Sequence, residues 1–212
     1  MARPSTHTDR LLIKTARRLY PRSGCKRLNL REVARESGVN LGMFHYHFKT
    51  KDEFVKRVFQ DFYEEFFKNF DLEAVSGRTS VEKLRSVLIK ISFFVRDNRE
   101  FMSAMMMDLM NGEPLAVQFA KRNFARHINI MMNLIGEGQT AGAIEPLPVA
   151  QIIFILLSGI IFPILAASRV QMTKQAPKKM KATIDMILTE QAMVNRIDMV
   201  LKGVSASKRK SS

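Results

Sequence analysis

Apolar side chains recur every three or four residues along most of this chain, and no long stretch alternates apolar and polar residues. Leu12, Ala16 and Leu19, for example, fall on one face of a helical wheel, while charged residues occupy the rest of that segment. A period near 3.6 residues is typical of amphipathic helices, whereas half-buried strands show a period of two. The pattern therefore predicts an all-α protein of about nine helices.

Capping residues and helix breakers divide the N-terminal part of this pattern. The first helix is expected to end before Pro21, which cannot continue a helical hydrogen-bond ladder. Segments 29–32 and 50–53 have the form of capping boxes, and Asn40 can cap a helix between them. The turn at Ser37-Gly38 would join two short helices, and a longer fourth helix would follow.

Five further helices are predicted in the remainder of the chain. The first of them starts at the cap Thr79, and the others cover 101–110, 115–135, 149–168 and 182–202. Segment 205–212 is basic and lacks apolar residues at helical spacing, so we expect a disordered tail there.

Segment 149–168 carries no charged residue and is about as long as a membrane-spanning helix. It contains Gln151, Ser158, Gly159 and Pro163, and no aromatic belt flanks it. A helix that is apolar on all sides can equally lie in a protein interior or a dimer interface. No membrane partner is expected, although a membrane-anchored protein stays open as an alternative.

Positive charge is concentrated at the N-terminal end. The chain has a formal net charge of +14, and residues 1–60 contain fourteen Lys and Arg against five Asp and Glu. Such clustering favours a polyanionic partner, with nucleic acid ahead of an anionic membrane, although a solubilising surface would show the same charge. The single Cys25 excludes an intrachain disulfide and is typical of the cytoplasm.

Motifs that would indicate catalysis or a metal site are not found. The sequence has no glycine-rich phosphate loop, no Gly-x-Ser-x-Gly elbow and no His-Glu-x-x-His pattern. His45 and His47 are two residues apart, which places them on different sides of a helix. We therefore expect no enzyme, no cofactor and no metal.

Two short helices joined by a tight turn are typical of a helix-turn-helix, whose second helix enters the major groove of DNA. The segment that starts at Gly38 reads Gly-Val-Asn-Leu-Gly-Met-Phe-His-Tyr-His-Phe-Lys-Thr-Lys-Asp-Glu-Phe and ends at Phe54. It resembles the recognition segment of the tetracycline-repressor-like (TetR) family, Gly-Val-Ser-x-Gly-Thr-Leu-Tyr-x-His-Phe-Lys-Ser-Lys-Glu-Glu-Leu. Met43 and His45 depart from the family pattern, which has Thr and Tyr there.

The resemblance implies a helix-turn-helix DNA-binding domain over 1–51, a larger helical effector-binding and dimerisation domain over 52–204, and the tail over 205–212. It also implies contacts with double-stranded DNA from one set of residues: Arg31, Leu41, Gly42, Met43, His45, Tyr46, His47, Lys49 and Lys51. The implied function is a homodimeric transcriptional repressor with a palindromic operator. The alternatives are a membrane-anchored helix-turn-helix protein and a helical ligand- or partner-binding module that binds DNA only weakly.

Two further sets of residues are predicted for the C-terminal domain. A small hydrophobic effector is expected to contact Phe101, Met102, Met105, Met106, Phe119, Phe124 and Met131, although a stripe of this kind is also typical of ordinary core packing. The resemblance also implies that the last two predicted helices of each subunit form the homodimer interface, through Ile152, Ile155, Leu156, Gly159, Ile160, Ile184, Ile187, Leu188, Met193 and Ile197.

Overall fold

A computed structural model describes residues 7–69, 77–173 and 177–206, without the side chains of 67–69, 125 and 126. These residues form helices and no sheet, which confirms the all-α class. The described helices are α1 (His7–Arg27), α2 (Leu30–Ser37), α3 (Leu41–His47), α4 (Lys51–Asn69), α5 (Ser80–Asp97), α6 (Arg99–Met110), α7 (Pro114–Asn123), α8 (Ala125–Thr140), α9 (Val149–Met172), α10 (Lys178–Ile187) and α11 (Glu190–Val204). Eleven helices within the described residues replace the nine expected.

The helical segment α1 does not end before Pro21 as expected. It continues to Arg27 and is interrupted instead at Gly24, whose φ of 61° and ψ of −176° are not helical. Proline removes one hydrogen bond and crowds the carbonyl one turn earlier, which bends a helix without always ending it, whereas a residue at positive φ leaves the helical conformation altogether. Cys25, Lys26 and Arg27 therefore form a short separate turn that leads towards α2.

Two of the predicted long helices are each divided in two. The helix predicted over 115–135 ends at Asn123, where the Tyr63 hydroxyl donates to the Asn123 carbonyl at 2.6 Å. The helix predicted over 182–202 is interrupted at Thr189, whose side chain accepts from the amide of Ala192 and starts α11. Local periodicity does not indicate which carbonyl a distant side chain will bind, and the end of α7 at Asn123 was therefore missed.

The first compact unit contains α1 to α4, α7 and α6 from Glu100 onward. In this unit α1 packs against α2 and α4, α2 packs against α3, and α4 packs against α7. Its core is rich in aromatic rings, because Tyr20 and Phe59 meet edge to face and Phe62 stacks on Phe101. The helix-turn-helix segment thus belongs to a larger unit than residues 1–51, and the division expected from the sequence stays a prediction.

The second unit contains α5 and α8 to α11. Helix α9 packs against α5, α8, α10 and α11, so it lies along the core of this unit. Gly159 allows α9 to approach α11 closely, because a Cβ there would lie 2.9 Å from the Val200 side chain. Pro163 does not end the helix, which runs on to Met172.

The predicted tail begins too early. Ser205 pairs with Ile144 in an isolated antiparallel bridge, and the Ala206 amide donates to the Ala143 carbonyl at 3.1 Å. These backbone bonds fix the two residues after α11 in the second unit. The rest of the predicted tail, 207–212, lies outside the described residues.

Candidate nucleic-acid interface

Helix α2 is capped at both ends by the residues that the sequence indicated. The Asn29 side chain accepts hydrogen bonds from the amides of Arg31 and Glu32, at 2.9 and 3.4 Å. At the other end Gly38 has a φ of 68°, a left-handed conformation that glycine adopts without a steric penalty. The Gly38 turn then directs the chain into α3 after only three residues.

Helix α3 is fixed by its cap and by one buried aromatic residue. The Asn40 side chain accepts from the Gly42 amide at 2.7 Å. Phe44 is fully buried, with its ring 4.9 Å from that of Phe54 and 5.5 Å from that of Phe48. Because one face of this seven-residue helix is fixed on the aromatic core, its opposite face must point to solvent.

The outward face of α3 exposes large side chains. Met43 is 44% and Tyr46 61% exposed, and both His45 and Gly42 are exposed. Leu41 is half-buried at the start of the helix. This face combines one apolar side chain with hydroxyl and imidazole hydrogen-bonding groups, the mixture needed to contact base edges and thymine methyl groups.

Basic residues occur before and after α3 in the chain. Arg31 is in the first turn of α2, and the Lys49 side chain precedes α4. The ammonium of Lys51 has a partner within the protein, because it donates to the Lys26 carbonyl at 2.8 Å. Arg31 and Lys49 therefore remain candidates for phosphate contacts, whereas Lys51 also joins the start of α4 to the end of α1.

His47 differs from the other predicted DNA-contacting residues. Its side chain is only 8% exposed, and its Nδ1 lies 2.5 Å from a carboxylate oxygen of Asp9 on α1. Its Nε2 is buried without a hydrogen-bond partner. In this structure His47 therefore fixes α3 on α1, and a direct phosphate contact would require it to leave Asp9.

The residues predicted to contact an effector are divided between the two units. Phe101, Met105 and Phe119 are buried in the first unit, where Phe59 lies 6.1 Å from Phe101 and 5.2 Å from Phe119, centroid to centroid. Met131 is buried in the second unit. Of the others, Met102 and Phe124 are half-buried and Met106 is 38% exposed. Close ring contacts of this kind are what core packing predicts.

Most residues predicted at the dimer interface are buried within the protomer itself. They are Ile152, Leu156, Ile160, Ile184, Leu188, Met193 and Ile197. Helices α9, α10 and α11 pack on one another in the second unit, so these side chains have their cover there, and their part in a dimer stays a prediction. Ile155 is 37% exposed, while Gly159 and Ile187 are half-buried.

A different face of α9 is open to solvent. Phe154 and Phe162 are 73% and 69% exposed, and Gln151, Ile155 and Ser158 complete an uncharged stripe at helical spacing. Met199 on α11 is 73% exposed as well. Sequence analysis named Ile155 of this face but missed Phe154 and Phe162, because α9 is apolar on all sides and periodicity cannot show which side faces the core.

These features define an all-α protein with a helix-turn-helix of the DNA-binding class, in which the outer face of the short capped α3 is exposed. Residues 12–58 match the family model described as "Bacterial regulatory proteins, tetR family".

Two relatives and one solved structure illustrate the similarity. The "Probable HTH-type transcriptional regulator YttP" of Bacillus subtilis is 22% identical over 156 residues, which are 73% of this chain and 75% of that protein. The "HTH-type transcriptional repressor KstR2" of Mycolicibacterium smegmatis is 26% identical over 88 residues, 42% of each chain. Among solved structures, a TetR-family transcriptional regulator from Agrobacterium tumefaciens has a TM-score of 0.67 at 12% identity, covering 94% of this chain and 98% of that one.

The resemblance seen in the sequence is thereby confirmed over residues 12–58, and the relatives that match are named as helix-turn-helix transcriptional regulators. Its relatives are named as regulators and not as enzymes, in keeping with the absence of catalytic motifs from the sequence.

Proposed function

We propose that this protein is a homodimeric transcriptional repressor that binds a palindromic operator in the cytoplasm and responds to a small hydrophobic effector. The observation that carries the proposal is the outer face of α3, where Met43, His45 and Tyr46 are exposed on a helix anchored by buried Phe44. Placed in the major groove, Met43 would pack on thymine methyl groups. His45 and Tyr46 would donate to base edges or phosphates, and Arg31 and Lys49 would neutralise phosphates.

The exposed stripe on α9 supports dimerisation. Two phenylalanines that are mostly exposed, on a helix without a charged residue between 149 and 168, form an apolar surface unusual for a monomer. Helix α9 has 24 residues, which gives a length of about 36 Å, and α11 lies beside it. A stable interface needs about 800 Å² from each partner, and α9 together with the 15-residue α11 can provide an area of that order.

A membrane anchor is the rival explanation of α9. Of the described helices, it is the one that is long and apolar enough to cross a membrane, with 33% of its most apolar window buried. However, Ile152, Leu156, Ile160 and Ile164 fill the core of the second unit, and a spanning helix could not pack there at the same time. The proposal therefore predicts protein that is soluble without detergent and does not float with lipid vesicles.

The methionines of α6 support the effector part of the proposal. Methionine side chains are flexible and polarizable, so an α6 with methionines at 102, 105, 106, 107 and 110 could adapt to an apolar molecule. Such a molecule would have to bind one conformation of the regulator more tightly than another in order to release the operator.

Selection from random-sequence duplexes tests the function directly. We expect repeated selection at near-physiological salt to recover a palindrome whose half-sites lie about 34–36 Å apart, the distance between successive major grooves. Binding without sequence preference that disappears as salt rises would contradict the proposal, because it would reflect only an electrostatic surface. The chain would then be a helical partner- or ligand-binding protein.

Single substitutions then test the assigned face. Tyr46→Ala is expected to cost about 1–3 kcal/mol of operator binding and to relax selectivity at one position. Lys49→Ala should weaken binding to all sequences alike and reduce the salt slope by about one unit. Lys202→Ala removes an exposed cation from α11 and is the matched control, which should change neither quantity. Equal losses for Lys49→Ala and Lys202→Ala would contradict the assignment.

A further inference from the structure

One carboxylate in the first unit joins two parts of α1 that are separated by the kink. The Asp108 Oδ2 atom on α6 accepts a hydrogen bond from the Tyr20 hydroxyl at 2.7 Å and another from the Cys25 amide at 2.9 Å. Tyr20 lies before Gly24 and Cys25 lies after it. A single oxygen therefore fixes the chain on both sides of its change of direction.

The kink itself is shaped to admit this carboxylate. A Cβ at Gly24 would lie 2.8 Å from Asp108 Oδ1, closer than real Cβ atoms approach, and the positive φ there also disfavours any side chain. Gly24 thus serves both the backbone conformation and the close approach of α6. We name the arrangement of Tyr20, Gly24, Cys25 and Asp108 the α1 clasp.

The α1 clasp is buried on its α1 side. Tyr20 is fully buried, with its ring 4.7 Å from that of Phe101, and Cys25 is 2% exposed. Burial, together with the hydrogen bond to Asp108, raises the pKa of the Cys25 thiol well above its ordinary value. The thiol should therefore react only when the clasp opens.

The segment held by the clasp leads directly to the helix-turn-helix. Lys26 follows Cys25, and its carbonyl accepts from the Lys51 ammonium at the start of α4. Two residues after Arg27, the Asn29 cap begins α2. The short turn at 25–27 is thus fixed by α6 at one end and by α4 at the other. Because it joins α1 to the α2–α3 motif and also contacts α4, its position bears on how both α1 and α4 hold that motif.

We propose that Asp108, outside the helix-turn-helix, is a positioning residue for DNA binding, which fixes the kink of α1 and so the placement of α2 and α3. The proposal rests on the proposed function, because operator binding is its readout. It explains why an acidic side chain occurs on a helix otherwise rich in methionine, facing a glycine. It also predicts that loss of the clasp weakens operator binding in protein that is still folded.

The test compares two nearly isosteric variants with a control in the full-length protein. Asp108→Leu removes both accepting oxygens, whereas Asp108→Asn can keep one oxygen facing Tyr20 and Cys25. Val58→Ala, in the α4 core, is the stability control because Val58 is 1% exposed and takes no part in the clasp. We expect Asp108→Leu to weaken operator binding about tenfold or more, with Asp108→Asn and Val58→Ala close to wild type.

The only cysteine of the chain supplies a second readout that does not depend on DNA. Under native conditions a thiol reagent should label Cys25 at least about tenfold faster in Asp108→Leu than in wild type. The labelling rate should depend only weakly on urea, since local opening exposes little surface and global unfolding exposes much.

Three results would overturn the positioning role. They are wild-type operator affinity in Asp108→Leu, an equal loss in Val58→Ala, and labelling that follows global unfolding in its urea dependence. If wild-type protein itself selects no operator, the proposed function fails instead. The Cys25 labelling rates would then decide the clasp, and equal rates in wild type and Asp108→Leu would refute it.

Discussion

The exposed stripe on α9 predicts the strength of the dimer. Complete burial of a phenylalanine side chain stabilises by about 2 kcal/mol, within a range of roughly 1.5–3 kcal/mol. Phe154 and Phe162 are 73% and 69% exposed in the protomer, so covering either one should contribute about 1.5 kcal/mol. A two-fold dimer contains each residue twice, which doubles the effect of one substitution to about 3 kcal/mol.

Phe154→Ala or Phe162→Ala should therefore raise the dimer dissociation constant roughly a hundredfold, because every 1.4 kcal/mol corresponds to a factor of about ten. Sedimentation equilibrium over a wide range of protein concentrations measures this constant directly. The free energy of unfolding of each monomer should change little, since neither ring is buried in the protomer. Operator binding should weaken at protein concentrations below the new dissociation constant.

Met110→Ala is the matched control for the dimer prediction. Met110 is 76% exposed, but it lies on α6 and outside the stripe, so its removal should leave the dimer unchanged. Unchanged dimer strength in both phenylalanine variants would refute the assignment of this face. Aggregation or vesicle binding that both substitutions abolish would instead favour contact with lipid.

Three smaller predictions concern stability. The pKa of the Cys25 thiol is raised in the folded state, so above about pH 8.5 only the unfolded thiol ionises. The free energy of unfolding therefore falls as pH rises. By pH 10, urea unfolding should show that wild type has lost about 2 kcal/mol more than Cys25→Ala. Equal pH dependence of the two proteins would contradict this. Asn29→Ala should cost about 1 kcal/mol in thermal unfolding through loss of the α2 cap, and a loss near zero would argue against that cap. Gly24→Ala should destabilise the fold by at least about 1 kcal/mol, because Gly24 has a positive φ. Gly203→Ala is the control, since Gly203 lies inside α11 with open space around it, and this change should be neutral or stabilising. Similar effects at both positions would contradict backbone strain at Gly24.

The helix-turn-helix could be predicted from the sequence because its determinants are local. Asn29 and Asn40 cap helices within a few residues of themselves, and Gly38 forms the turn by its own conformational freedom. The exposure of Met43 and Tyr46 then follows from helical periodicity once Phe44 is known to be buried. Local rules of this kind need no knowledge of the rest of the fold.

Predictions that depended on distant contacts were less accurate. At the break after Asn123 the free carbonyl accepts from the Tyr63 hydroxyl, sixty residues away in the chain, and no local signal indicates that contact. His47 was placed on the DNA because its family position suggests it, yet Asp9 holds its ring near α1. The carboxylate of Asp108 likewise acquires its role only when folding brings it to Gly24 and Cys25.

Helix α9 shows why the side of a helix that meets a partner is hard to choose from the sequence. Its sequence is apolar on every side, so nothing in it indicates which side faces a partner. Ile152 and Leu156 were chosen for the dimer interface, and both are buried in the protomer. A helix that is apolar all round needs cover all round. The second unit's own core covers one side and leaves Phe154 and Phe162 exposed. The proposed dimer would cover that second side, and it would thereby account for the apolar composition of the whole helix.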